Sequence, residues 1–151
     1  MKRTAFFGIF AILTVGLLTL VSSGSDLEKT ISYVRLFPDE SEISHFEEVT
    51  FKLTADDVQS PAVPFFFSSF EKATSFGYYS ISAGYFDDWH NAPRHQFLFC
   101  LAGEFELQAS DGEKRRFEQG SILLVEDTTG KGHKGRVIGS DDVLMIVVTL
   151  E

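Results

Sequence analysis

The chain has 151 residues, of which 44 % are hydrophobic and 23 % charged. That is enough apolar content for one packed domain and excludes a disordered or collagen-like chain. A net charge of −9 with no basic stripe excludes an electrostatic nucleic-acid binder, and the single cysteine, Cys100, excludes an internal disulfide framework.

The chain opens with Met1-Lys2-Arg3, an uncharged run from Ala5 to Val21 rich in Phe, Leu, Ile and Val, and then Ser22-Ser23-Gly24-Ser25. A basic start, an apolar middle and small residues predict a secretory signal peptide over residues 1–23, and so a secreted or extracytoplasmic protein. The alternative is an uncleaved membrane anchor formed by residues 5–21, a run just long enough to cross a bilayer. Residues 24–43 read as a lead-in, turn-rich at Leu36-Phe37-Pro38-Asp39, and residues 44–151 as a single domain.

Within that domain, Phe46 to Leu53 reads as a strand from its β-branched and aromatic content. Ala55 to Pro64 holds two prolines and two aspartates and reads as a loop. Pro64 to Phe70, with four phenylalanines, and Phe76 to Phe86, alternating aromatic and small residues, read as short strands. Gln96 to Ala102 is a buried strand. Glu104 to Ala109 alternates polar and apolar with the period of a half-buried strand. Asp111-Gly112 marks a hairpin turn, where glycine supplies the positive φ. Lys114 to Phe117, Ile122 to Val125 and Asp142 to Leu150 complete the strands. Short strands at regular spacing with glycine turns predict an all-β sandwich or barrel. Cys100, inside an apolar run, reads as a small core residue.

The stretch from Gly84 to His133 carries a more specific pattern. Gly84, His90, Gln96 and Gly103 follow G-x5-H-x-H-x3-E-x6-G, with Ala92 in place of the second His and Gln96 in place of Glu. Gly112 and Gly120 then follow G-x5-P-x-G-x2-H-x3-N, with Glu118, Leu123 and Asp127 in place of Pro, His and Asn. In these residues the chain resembles the cupin superfamily. Trp89-His90-Asn91-Ala92-Pro93-Arg94 and Glu126-Asp127-Thr128-Thr129-Gly130-Lys131-Gly132-His133 also resemble a narrower group of small single-domain cupins. The resemblance implies a jelly-roll-like β-barrel, a pocket inside it, and pairing of two barrels into a homodimer.

Cupin metal sites normally present three His and one carboxylate around an iron, manganese, zinc or nickel ion. Here Ala92 and Leu123 bring no donor atom and Gln96 brings only a neutral amide oxygen. Any retained ion would have to use His90, Gln96 and His133. The pocket residues expected from the motif and its flanks are Trp89, His90, Arg94, Gln96, Leu123, Asp127 and His133. Asp127 shares strand parity with Leu123 and faces inward, while His95 has the opposite parity to His90 and Gln96 and faces away. Each has a plainer reading: a buried hydrogen-bonding His90, a loop His133, a turn-capping Asp127, a solvated Arg94, a core Trp89 and a surface His45. The function expected is an exported small-molecule-binding protein with a degenerate metal site. The alternative is a metal-dependent oxygenase, decarboxylase or isomerase with a shifted ligand set.

Overall fold

The computed structural model describes residues 29–55 and 65–151. The signal or anchor segment and residues 56–64 of the expected loop lie outside the described residues. Among the described residues ten strands follow one another: β1 (Lys29–Pro38), β2 (Ser44–Ala55), β3 (Phe66–Phe67), β4 (Ala73–Ile81), β5 (Gln96–Ala102), β6 (Glu104–Ala109), β7 (Lys114–Phe117), β8 (Ile122–Val125), β9 (His133–Ile138) and β10 (Val143–Leu150). Among the described residues there is no helix, and none long and apolar enough to cross a membrane.

The strands form a seven-stranded sheet, ordered β3-β2-β1-β8-β5-β10-β4, and a three-stranded sheet, ordered β7-β6-β9. The two inner faces share one core. Leu36 of β1, Phe46 of β2, Leu123 and Val125 of β8, and Met145 and Val147 of β10 supply it from the large sheet. Phe105 and Leu107 of β6 and Phe117 of β7 supply it from the small one. This is the all-β barrel expected from strand spacing, in the jelly-roll-like form that the resemblance implies.

Four elements differ from the sequence expectation. Lys29–Pro38 lies in what reads as a lead-in, yet it is a ten-residue strand that pairs antiparallel with β2 and parallel with β8. Lys29, Arg35 and Pro38 make it look like a connecting segment, but its inner residue Leu36 is fully buried. The phenylalanine-rich stretch after Pro64 contributes only the two-residue β3, and the strand expected from Phe76 to Phe86 runs from Ala73 and ends at Ile81. Finally, His133–Ile138 is a strand rather than a loop, because it adds itself to β6. Cys100 is buried, and burial pushes its thiol pKa up, which suits an inert core residue.

Candidate functional site

The site sits where the segment Asp87–His90, the start of β5 and the start of β9 converge. His90 and His133 face each other as an isolated antiparallel bridge outside the main ladders. Each donates its backbone N–H to the other's carbonyl, both at 2.9 Å. This bridge needs Gly132: a Cβ there would collide with the His90 carbonyl oxygen, and the residue lies at φ +71°. Ser44, buried in β2, donates its hydroxyl to the Gly132 carbonyl at 2.7 Å and fixes the loop from below. Asn91 adds amide bonds to the carbonyls of Thr129 at 2.7 Å and Gly130 at 3.1 Å.

The bridge sets the two imidazoles side by side, with ring centroids 4.6 Å apart. Each ring is held through Nδ1. His133 Nδ1 donates to Asp127 Oδ2 at 2.8 Å, and His90 Nδ1 donates to the Asp88 carbonyl at 2.9 Å. An acceptor at Nδ1 places a proton there, so in the neutral ring Nε2 carries the bare lone pair. Among the described residues neither Nε2 has a protein partner. Asp127 is fully buried, and its second oxygen, Oδ1, has no partner among the described residues. A buried carboxylate of this kind is tolerated only with a strong donor, and His133 is its side-chain partner.

Both histidines and Gln96 line one cavity of about 470 Å³. Its wall combines Leu98, Phe105, Leu107 and Met145 from the core with Tyr79, Ser80, Ser82 and Tyr85 at the open side. Gln96 is itself buried, and its amide makes no hydrogen bond among the described residues. Asp87 borders the same space, with Oδ2 3.8 Å from His90 Nδ1.

The remaining expected site residues fall elsewhere. Leu123 is 1 % exposed and packs in the core, so the barrel interior at that position is filled with hydrocarbon rather than open to a ligand. Asp127 faces inward and touches the cavity only through His133. Trp89 does not line the cavity. Its ring lies under Lys131 Nζ at 3.8 Å and Lys134 Nζ at 5.1 Å, a cation–π stack, because alternation turns it away from the side His90 takes. Arg94 is exposed on the loop before β5 and does not line the cavity either. His95 is exposed and points to Glu126, 3.7 Å away, as its parity requires. His45 lies in a carboxylate clamp, 2.7 Å from Asp111 Oδ2 and 3.2 Å from Asp39 Oδ2. Its pKa is raised, first by the hydrogen bond to Asp39 and then by Asp111. Sequence reading did not anticipate Asp87, Tyr79 or Tyr85 at the cavity. The aromatic alternation of β4 is a signal for Tyr79 alone, and Tyr85 and Asp87 follow that strand without one.

The donor set does not suit a resident metal. Among the described residues no group of three or more His, Cys, Asp or Glu side chains could hold an ion. Two imidazoles and a neutral amide do not fit a tightly held iron, manganese, zinc or nickel ion.

No family model matches the chain, and no curated protein matches it. Several solved structures resemble it. A cupin 2 conserved barrel domain protein from Salinispora arenicola is 20 % identical, with 66 % of this chain and 76 % of that one covered and a TM-score of 0.43. The cupin domain of Schizosaccharomyces pombe Cnp3 is 14 % identical, covering 82 % and 84 %, with a TM-score of 0.41. Protein NMB1881 from Neisseria meningitidis is 15 % identical, covering 53 % and 81 %, with a TM-score of 0.41. The strand order and the positive-φ glycines make this chain a two-sheet, jelly-roll-like β-barrel. None of these likenesses brings a ligand or an activity to this chain.

Proposed function

We propose that this protein is an exported, cupin-type binder of a small organic molecule, held in the cavity beside His90, Gln96 and His133 without a tightly bound metal. The observation that supports this reading most is the pair of Nδ1-anchored imidazoles on the wall of a largely apolar cavity. Two bare Nε2 lone pairs accept hydrogen bonds from hydroxyl or amide groups, and the Gln96 amide both donates and accepts. The Phe105, Leu107 and Met145 wall takes an apolar body. A ligand with a hydrocarbon part and one hydroxyl- or amide-bearing end matches that division. Export rests on the composition of residues 1–23 alone.

Two measurements test the reading. Elemental analysis of protein purified without chelator or metal-affinity resin is expected to give far less than one metal per chain. About one iron, manganese, zinc or nickel per chain would overturn the metal-free reading and favour the alternative, in which His90, Gln96 and His133 ligate it. Thermal-shift screening of hydroxy acids, phenols and short-chain alcohols is expected to find stabilisers whose affinity drops at least tenfold, ~1.4 kcal/mol, in His90→Ala and Gln96→Ala.

A further inference from the structure

The strands β3 and β4 stand at opposite edges of the seven-stranded sheet, so the chain between them has to pass across it. It does so as a strap over the outer face. Ser68, Ser69, Phe70 and Glu71 form one wall of a cavity of about 270 Å³, and outward side chains of β1, β2, β5 and β8 form the other. Among the described residues no hydrogen bond fastens Ser68–Glu71 to the sheet, and Ser68 donates its hydroxyl to the Ser69 carbonyl within the strap, at 2.9 Å. This cavity is separate from the one beside His90. Alternation along β5 sends Gln96 and Leu98 to the inner cavity and Phe97 and Phe99 to the outer one.

The floor of the outer cavity is aromatic. Tyr33 stacks on Phe51 with ring centroids 5.0 Å apart and meets Phe97 edge-on at 5.5 Å. Phe97 in turn lies 6.0 Å from Phe99. Among the described residues no lysine or arginine lines this space, whereas Glu71 does. Arg35, next on the outward face of β1 after Tyr33, is already held by Glu47 at 3.4 Å and by Glu126. Lys29 and Lys72, at the margins, are engaged elsewhere: Lys29 over the Phe66 ring at 4.2 Å and Lys72 with Glu151 at 3.2 Å. Burial pushes the Tyr33 phenol pKa up, and Glu126, Glu47 and Glu71 push it the same way against Arg35. The space is walled by π faces in negative surroundings.

We infer that this outer cavity binds a small organic cation, a trimethylammonium group on a short carbon chain. Ring faces carry partial negative charge and attract a cation, most strongly where water is excluded. A quaternary nitrogen has no N–H, so it forfeits no hydrogen bond on meeting a wall of rings and hydrocarbon. A primary ammonium would leave donors unpaired there, and an anion would meet Glu71 and the ring faces. Glu71 supplies the counter-charge from the strap. The same strap roofs the floor, which keeps out a flat bilayer surface and leaves room for one small molecule. The inference uses no residue of the inner cavity, so it stands or falls separately from the proposed function.

Isothermal titration calorimetry of the purified native protein compares choline with 3,3-dimethylbutanol, its uncharged isostere. Choline is expected to bind roughly tenfold more tightly. Phe51→Leu keeps an apolar wall but removes a ring face, and Glu71→Gln removes the charge at an exposed position. Each is expected to keep the wild-type far-UV circular dichroism, to weaken choline by roughly threefold or more, and to leave dimethylbutanol within about twofold. His90→Ala is expected to bind choline like the wild type. Equal binding of the isostere, or choline binding unchanged in both Phe51→Leu and Glu71→Gln, would overturn the inference. So would loss of choline binding in His90→Ala, which would move the ligand to the inner cavity. No binding of free choline would overturn it too, whether or not the protein sediments with phosphatidylcholine vesicles.

Discussion

The barrel holds two histidine–aspartate pairs with nearly the same bond length and very different surroundings. His133 and Asp127 meet at 2.8 Å with side chains 9 % and 0 % exposed. His45 and Asp111 meet at 2.7 Å with side chains 35 % and 22 % exposed, and Asp39 shares the clamp. Each pair stands beside a glycine of positive φ, Gly132 in one case and Gly112 in the other. Water can replace either partner of the outer clamp, so its loss is cheap. It cannot reach Asp127, so the inner pair is a structural necessity as well as the support of a cavity-lining ring.

The comparison breaks most visibly by truncating the two histidines. His133→Ala leaves a buried carboxylate unpaired and is expected to cost ~3–5 kcal/mol in urea unfolding. His45→Ala is expected to stay within ~1 kcal/mol. Equal costs would show that the Asp127 carboxylate is reached by solvent or neutralised. The glycines give a smaller contrast. Gly132→Ala adds a collision with the His90 carbonyl to the strain of positive φ, whereas a Cβ at Gly112 meets nothing within 4 Å. Gly132→Ala should therefore destabilise by more than the ~1–3 kcal/mol that left-handed strain alone costs, and should abolish ligand binding. Gly112→Ala should show the strain cost only.

The smallest effect is one of pH. The folded pKa of His45 is raised, so its stabilisation is fully present below the unfolded value, ~6.5, and fades as pH rises through the folded value. Asp39 is lowered, first by the Ile43 backbone N–H and then by His45, so its share is present above its unfolded value and lost in acid. The melting-temperature difference between wild type and His45→Ala should thus be a few degrees, largest between roughly pH 4.5 and 6.5, and vanish well above that range. A difference that grows with pH would reverse this assignment.

The barrel was legible in sequence because glycine spacing and strand alternation are local signals. So was the shared face of His90 and Gln96, two positions set by the same motif. β1 was not, since its place is fixed by distant partners: Leu36 opposite Phe46, and Val34 beside Leu123. Nor was the meeting of His90 with His133, which depends on a backbone bridge between segments far apart in the chain. Trp89 looked like a pocket residue through proximity to His90, but alternation turns it to the opposite side, and Arg94 lies exposed on the loop before β5. Leu123 was the most telling substitution in the text. It was expected among the pocket residues, and its place in the core depends on how side chains of other strands fill the barrel, which the motif does not record.

The bridge between His90 and His133 has a mechanical meaning. Their peptide groups are bolted to one another, and Ser44 and Asn91 pin the same loop from two further directions. The spacing of the imidazoles is therefore a property of the main chain rather than of either side chain. A ligand entering the cavity meets a rigid two-pronged wall, and any adaptation to its shape falls to the tyrosines and serines on the opposite, open side.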